Sequence, residues 1–318
     1  MNYFDQYYKT ILHKVLEKLN QAHIELVIVG GTVRDYLIFK KFGHDVDAEL
    51  IFRDNDLSPD EAFSIVVEIL KSLEIKIEIL PFYIVKFSLE NHQFEFSIGR
   101  LEKYIEGNFS HKNFIPHFLL GDEYAQKWLR RDVTINAIGY SFKSGKIIDP
   151  YNGMEDLKSK TLRPISEDFY RDPVRLLRLI RFRMLMNFNI STVVNLNNFN
   201  MQALTNYYLF KEGEKVGLSE FFQVLSSLQI DFNDHQKTYI EFAKMAKFIN
   251  FREMVYQSAK QKNSQVQDTI YKDGLFSFKK YKILLNFFNL ENLTDRRNQL
   301  GLIKNLGNDF YKWASDDC

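Results

Sequence analysis

Two aspartates one residue apart are the first candidates for chemistry in this 318-residue chain. Asp45 and Asp47 open the stretch DVDAELIF, whose apolar second half is typical of a buried strand. Residues two apart in a strand point to one face, so both carboxylates would face a common point while Val46 faces the core. Two bare carboxylates this close repel each other, and a bound Mg²⁺ would offset that repulsion. A capped or salt-bridged strand end is the alternative interpretation.

Two further features near the aspartates suggest phosphate chemistry. Gly30 and Gly31 stand between the apolar run IELVIV and the helical stretch TVRDYLIFK. Without side chains, such a turn lets backbone N–H groups and a helix N-terminus approach a phosphate, although an ordinary tight turn has the same residues. Glu95, in FEFSIG, is a third carboxylate that a neighbouring strand could bring beside the aspartates. Three carboxylates that hold two metal ions are a common arrangement for phosphoryl and nucleotidyl transfer.

The elements that must position these residues follow from hydrophobic spacing. Residues 6–22 have helical spacing, and the run SPDEAF opens another helix with a capping box made by Ser58 and Glu61. The segments IKIEIL, YIVKFSL and FEFSIG are predicted strands of one sheet. From GDEYAQKWLRRDVTINAIGYSF onward the spacing predicts mainly helices, with a turn-rich interruption at SGKIIDPYNGMEDL and a strongly periodic helix over 172–188. The predicted domains are a head (1–150), a helical neck (151–225) and a helical body and tail (226–318).

Composition sets only broad limits on function. Hydrophobic residues make up 45% of the chain and charged residues 26%, which is ordinary for a globular protein. The net charge of +1 argues neither for nor against a nucleic-acid partner. The single cysteine, Cys318, fits a reducing compartment. The first twenty residues do not have the pattern of a signal peptide, and no apolar run is long enough to span a bilayer. We therefore expect a cytoplasmic protein with no membrane partner.

Five motifs in one order give the sequence a specific resemblance. They are VGGTVRDYLI, DVD, RRDVTINAIGY, GKIIDPYNGMEDL and RDPVRLLRLIRF. Together they resemble the tRNA nucleotidyltransferase and bacterial poly(A) polymerase family, the class II branch of the polymerase-β superfamily, over residues 25–190. The resemblance implies an α+β fold, in which a polymerase-β-like head with a mixed sheet and helices precedes an all-helical neck and a short helical body and tail. It also implies a reaction in which the 3′-hydroxyl of an RNA attacks the α-phosphate of CTP or ATP.

The resemblance implies roles for individual residues. Mg²⁺ would be held by Asp45 and Asp47. The triphosphate would be contacted by Gly30, Gly31, Arg34 and Arg131. The ribose hydroxyls would be read by Asp132 and Asn136, four apart on one face of a predicted helix. An ordinary amphipathic helix is the alternative for the last pair.

The helix at RDPVRLLRLIRFR has the side chains to read a base. Asp172 and Arg175 are three residues apart and Arg178 continues the same side. An aspartate can accept a hydrogen bond from the amino group of cytosine or adenine while an arginine donates to the ring acceptor. Uracil and guanine reverse this pattern, so the pair could admit C and A without a template. A solvated arginine-rich helix is the alternative, and Arg171 replaces the glutamate that is usual in the family motif.

Three other segments have weaker family counterparts. Residues 99–114 resemble an arginine-glutamate loop that helps to change base specificity, and His111 could be one of its contacts. Residues 212–225 resemble a neck motif, here with Glu214 and Lys215, which we expect to brace the base-reading helix. The basic, aromatic segment 276–282 could follow the backbone of an RNA acceptor stem.

The resemblance predicts a template-independent nucleotidyltransferase that adds C and A from CTP and ATP to the 3′ end of tRNA, next to the acceptor stem. Within the family, an enzyme that adds only CC or only A and a poly(A) polymerase are alternatives. From other classes, a sugar-nucleotide transferase would also use a D-x-D metal site. An inactive RNA-binding protein would not need Asp45 and Asp47.

Overall fold

The computed structural model describes residues 1–53, 56–105, 114–201, 204, 206–228, 230 and 232. These residues fall into two compact units. The described residues of the first unit lie within 1–105, 114–171 and 188–194, and those of the second lie within 172–187 and from 195 onward. No helix in these ranges is long and apolar enough to cross a membrane. The boundaries of the three predicted domains remain predictions.

The first unit is a mixed α/β arrangement. Its helices are α1 (Asn2–Gln21), α2 (Gly31–Phe39), α3 (Pro59–Ser72), α4 (Tyr124–Trp128) and α5 (Gly153–Lys158). Its strands are β1 (Ile24–Val29), β2 (Asp45–Phe52), β3 (Ile77–Leu80), β4 (Ile84–Leu89), β5 (His92–Tyr104), β6 (Phe114–Leu119), β7 (Gly139–Ser141), β8 (Lys146–Ile148), β9 (Thr161–Leu162) and β10 (Asn189–Ile190). Two 3-10 turns span Thr134–Asn136 and Glu167–Arg171. The predicted capping box is confirmed, because Ser58 and Glu61 bond reciprocally at the start of α3.

The main sheet has the strand order β3-β4-β5-β2-β1-β7-β8, and β6 pairs with the second half of β5. Strands β2 and β5 run parallel, whereas β1 pairs antiparallel with both β2 and β7. The sheet is therefore mixed, as the resemblance implies. Its parallel register places Glu95 directly opposite Asp47.

The two faces of the sheet differ in chemistry. On one face, alternate residues of β2 and β5 are fully buried in the main core with the apolar side of α1; examples are Val46, Leu50, Phe94, Phe96 and Tyr8. The intervening residues of β2, which are Asp45, Asp47 and Glu49, therefore point to the opposite face. The alternation predicted from DVDAELIF thus directs a row of three acids away from the core.

One part of the secondary-structure prediction is wrong. The segment 121–142 was expected to be helical, but it contains only the short helix α4, a 3-10 turn and strand β7. Strand β7 pairs with Val27–Val29 and is buried along its length, so the sheet gains a strand there. Gly139 permits this pairing, because a Cβ at that position would lie 2.5 Å from the Trp128 ring. Asp132 and Asn136 consequently do not share a face of an α-helix.

The interpretation of 99–114 as a loop is also wrong over its described residues. Gly99 to Tyr104 form the second half of β5 and pair with β6, and their antiparallel ladder satisfies the backbone. The segment between these strands, including His111, lies outside the described residues.

The second unit is helical over its described residues, with α6 (Val174–Met186), α7 (Asn206–Glu214) and α8 (Leu218–Ser227). The predicted bracing of α6 by 212–225 involves a different acid from the one expected. Arg181 of α6 forms a buried ion pair with Glu212, which Lys215 also contacts at 2.8 Å. Glu214 instead lies 3.8 Å from Lys211. Almost all of the predicted body and tail, including 276–282, lies outside the described residues.

Candidate active site

The aspartates predicted to bind metal stand at the open end of β2. Both are exposed, and the Asp45 side chain is 81% exposed with His44 Nδ1 3.0 Å from its Oδ1. Glu95 faces the same side from β5, but its carboxylate lies 3.2 Å from Lys86 Nζ. The arrangement therefore presents two accessible carboxylates and a third that is already paired with a cation.

This donor set fits a hard divalent cation. Asp45 and Asp47 supply oxygen ligands on one strand face, and their exposure leaves room for water and phosphate to complete the coordination. Within the part of the chain that the structure describes, no group of three or more His, Cys, Asp or Glu side chains is gathered for metal binding. The role of Glu95 as a third ligand therefore stays a prediction.

The glycine turn brings an arginine against the backbone. Gly30 has φ +86°, a conformation that favours glycine, and its N–H donates to Ile138 O at 3.0 Å. A Cβ on Gly30 would lie 2.8 Å from Arg131 Nη1, so a side chain there would displace that guanidinium. Gly31 begins α2, and its missing side chain faces Arg34 Nη2. The N-terminus of α2 and two guanidiniums thus lie in one place, which is suited to binding phosphate.

A chain of hydrogen bonds joins this turn to the predicted ribose readers. Arg34 Nη1 donates to Asn136 Oδ1 at 2.5 Å, and Asn136 Nδ2 donates to Asp132 Oδ1 at 2.7 Å. Arg131 Nη1 donates to the carbonyl oxygen of Asn136 at 3.2 Å. Asp132 and Asn136 therefore meet through a tight turn, although not through the helix that their spacing had suggested.

Burial and neighbouring charges both shift the pKa of the Arg131 guanidinium. Burial lowers the pKa of its guanidinium, and the adjacent Arg130 lowers it further by repulsion. Negative charges oppose this effect, in the order Glu49, Asp47 and Asp132. The site is therefore a mixture of buried cations and acids, in which the acids partly offset the cost of burying the Arg131 charge.

Asp156 and Arg163 stabilise the turn at 132–136, and the sequence had assigned neither of them a role. Thr134 Oγ1 donates to Asp156 Oδ2 at 2.5 Å, and Arg163 Nη2 lies 2.8 Å from the same oxygen. The backbone N–H of Thr134 also donates to Arg163 O at 2.9 Å. The available signal was the motif GKIIDPYNGMEDL, which contains Asp156 and was used only for the resemblance.

The predicted base readers belong to the second unit. Asp172 and Arg175 are both buried, and Asp172 Oδ2 lies 3.9 Å from Arg175 Nε. Asp172 Oδ1 also accepts a hydrogen bond of 2.9 Å from the Val174 N–H at the start of α6. Arg178 is partly exposed, and its guanidinium lies 5.5 Å from the centre of the Phe182 ring. An acid just before α6 and a base in its first turn are thus adjacent, as their spacing predicted.

Comparisons with known proteins agree with this architecture. Residues 26–163 match the model of the poly A polymerase head domain. A CCA-adding enzyme of Actinobacillus succinogenes is 35% identical over 164 residues, which are 50% of this chain and 35% of that protein. A multifunctional CCA protein of Teredinibacter turnerae is 56% identical over 57 residues, 18% of this chain and 14% of that one. The chain thus matches about a third or less of the length of these relatives.

Solved structures show the same fold. The Thermotoga maritima CCA-adding enzyme complexed with tRNA has a TM-score of 0.56 at 18% identity, covering 92% of this chain and 65% of that one. A tRNA-processing enzyme in an apo form has a TM-score of 0.54 at 23% identity, with 94% and 73% covered.

Residues 26–163, with their mixed sheet, D-x-D strand and glycine turn, thus resemble the poly A polymerase head domain. The chain is also similar over part of its length to proteins named CCA-adding enzyme. Nucleotidyltransferases generally depend on a divalent metal ion.

Proposed function

We propose that this protein is a template-independent RNA nucleotidyltransferase that adds C and A from CTP and ATP to the 3′ end of tRNA. The observation that carries the proposal is the junction of Arg34, Asn136 and Arg131 beside the glycine turn. This junction combines cations for a triphosphate with a polar turn for a ribose. Asp45 and Asp47 follow α2 on the adjoining strand.

Different residues of the head have different roles in the proposed reaction. Arg34, Arg131 and the N-terminus of α2 bind and neutralise the triphosphate, which orients its α-phosphate for attack. Asp132 and Asn136 bind the ribose hydroxyls and so favour ribonucleotides. Mg²⁺ held by Asp45 and Asp47 would activate the attacking 3′-hydroxyl and stabilise the charge on the phosphates as pyrophosphate leaves.

Base choice is assigned to α6. Asp172 accepts from the exocyclic amino group of cytosine or adenine, and Arg175 donates to the ring acceptor beside it. Burial of both side chains supports this assignment, because a mismatched base would leave a buried charged group unpaired. Arg178, one turn further along the helix, adds a third polar side chain to the base-reading set.

The names of similar proteins support tRNA as the RNA substrate. The relatives include proteins named CCA-adding enzyme, and a structural neighbour was solved with a primer tRNA and an incoming ATP analogue. A tRNA substrate and a single cysteine in the sequence also support a cytoplasmic location.

The proposal is tested by supplying defined RNA ends. The purified protein is incubated with Mg²⁺ and tRNAs that end before CCA, after the first C, or after CC, each with one labelled nucleoside triphosphate. We expect CTP to extend the first two RNAs and ATP to extend the third, with growth ending at CCA. Addition of C alone or A alone would identify a partial enzyme. Long A tails on unrelated RNA would contradict the tRNA assignment.

A further inference from the structure

Glu49 is a buried acid on the active-site face of the sheet that the proposed reaction does not use. It follows Asp45 and Asp47 at alternate positions on β2, so all three side chains leave the same face. Unlike the two aspartates, Glu49 is only 1% exposed. Both of its carboxylate oxygens are buried and accept no hydrogen bond. Burial of a carboxylate in this way is costly unless nearby positive charges compensate its negative charge.

The groups that attract Glu49 are cations of the same face. Arg130 Nη2 is 3.9 Å from Glu49 Oε1. Burial lowers the pKa values of Arg131, Lys127 and Arg100, and the charge of Glu49 partly offsets that effect in all three. Arg130 acts in the opposite sense and lowers the pKa values of its neighbours Arg100 and Arg131 by repulsion. The negative charge of Glu49 thus acts on four cations, which are Arg100, Lys127, Arg130 and Arg131.

Two of these cations have another anchor. Arg100 makes hydrogen bonds of 3.0 and 2.7 Å to Glu102, and the Lys127 ammonium donates to the carbonyl oxygen of Gly121. Arg131 Nη1 donates a hydrogen bond to the Asn136 carbonyl oxygen, the guanidinium lies beside the Gly30 backbone, and its buried Nε has no hydrogen-bond acceptor among the described residues. The position of Arg131 therefore depends on the local charge more than on direct bonds.

Two other roles for Glu49 fit the structure less well. As a third metal ligand in a D-x-D-x-E row, it would need access to the ion, but it is enclosed and surrounded by cations. As a purely stabilising ion pair, it would be expected to make direct charge-assisted hydrogen bonds, which are the strong contacts in buried pairs. Its carboxylate makes none.

We propose that Glu49 is a positioning residue, whose carboxylate charge holds the Arg130–Arg131 pair against β2 so that Arg131 stays beside Gly30 and can receive the triphosphate. The inference rests on the proposed function, since it assumes that Arg131 binds the phosphates of a nucleotide. It predicts that Glu49 affects the binding of a triphosphate but not that of a nucleoside monophosphate.

Calorimetric titration of the full chain with CTP and with CMP, both with Mg²⁺, tests this inference. In the Glu49→Gln variant we expect the Kd for CTP to rise about tenfold, while the Kd for CMP stays within about twofold. Glu25→Gln is the matched control, because it neutralises a carboxylate of β1 on the same sheet face that is bound instead to Ser141 Oγ at 2.5 Å. That variant should bind CTP as the wild type does.

The other possible outcomes distinguish a failure of the Glu49 positioning role from a failure of the proposed function. An unchanged or tighter CTP affinity in Glu49→Gln, or equal losses for CTP and CMP, would overturn the positioning role. If the wild type itself does not bind CTP, the proposed function fails first. If Glu49→Gln does not fold, the charge-balanced Glu49→Gln/Arg130→Gln variant replaces it. This double variant should also lose CTP affinity selectively, and wild-type affinity in it would overturn the inference.

Discussion

Arg34 and Asn136 are 102 residues apart in the sequence, and the Arg34 guanidinium donates a 2.5 Å hydrogen bond to the Asn136 side chain. The bond ties the first turn of α2 to the 3-10 turn that follows Asp132. The Asn136 side chain thus contacts both Arg34, a predicted triphosphate residue, and Asp132, the other predicted ribose residue. Asn136 is therefore the residue through which nucleotide binding and sugar choice should be coupled.

The first prediction concerns sugar choice. Asn136→Ala removes a contact to Asp132 and the acceptor of Arg34, so the preference for CTP over dCTP should fall about tenfold or more. The ratio of kcat/KM values for the two nucleotides measures this change. A ratio equal to that of the wild type would show that Asn136 does not read the ribose.

The second prediction concerns the glycine turn. Gly30→Ala should destabilise the head by about 1–2 kcal/mol, because alanine at φ +86° is strained and its Cβ would meet Arg131. Gly31→Ala is the control for stability. Gly31 is a helical residue with space for a methyl group, so its free energy of unfolding should change by less than about 1 kcal/mol.

Urea unfolding followed by tryptophan fluorescence distinguishes these two variants. The chain has two tryptophans, and Trp128 is fully buried in the head. In a Trp313→Phe background, the fluorescence reports on Trp128 alone. Equal midpoints for Gly30→Ala and Gly31→Ala would contradict the strained turn.

The third prediction concerns the support of the 132–136 turn. Asp156→Ala leaves the Thr134 hydroxyl and the Arg163 guanidinium without their shared acceptor, which should cost about 1–3 kcal/mol of stability. Glu155→Ala is a matched control, since the neighbouring acid is exposed and forms a surface ion pair with Lys158. The same fluorescence measurement compares the two, and equal stability would show that the network does not hold the turn.

The fourth prediction concerns base choice. Arg175→Ala should raise the incorporation of UTP or GTP relative to CTP about tenfold or more, because the donor that rejects a ring N–H is lost. Arg175 is preferable to Asp172 for this test, since Asp172 also accepts the Val174 N–H at the start of α6. Arg183→Ala, an exposed arginine of the same helix, should leave base choice unchanged. Equal specificity in both variants would remove Arg175 from the base-reading role.

The sequence predicted the elements whose pattern is local. The alternation in β2, the glycine turn and the capping box of α3 depend on residues near each other in the chain, and all three were found as expected. The sequence also suggested that a neighbouring strand could bring Glu95 beside the aspartates, and the parallel pairing of β2 with β5 places it opposite Asp47.

The parts that the sequence did not predict depend on distant partners. Strand β7 forms because β1 offers an edge for pairing, and Gly139 makes room for Trp128; neither fact is visible in the spacing of 121–142. The support of the turn by Asp156 and the burial of Glu49 also arise only in three dimensions. Glu49 lies in a strand of mixed polar and apolar residues, and that pattern does not indicate that cations would enclose it.

The central claim is that Asp45 and Asp47 support nucleotidyl transfer, and one measurement tests it most directly. Wild type, Asp45→Asn and Asp47→Asn are incubated with Mg²⁺, a tRNA that ends before CCA and CTP labelled at its α-phosphate. We expect label in the RNA with the wild type, a loss of at least about a thousandfold in each variant, and loss with the wild type when EDTA removes the metal. Undiminished transfer by either variant would contradict the account.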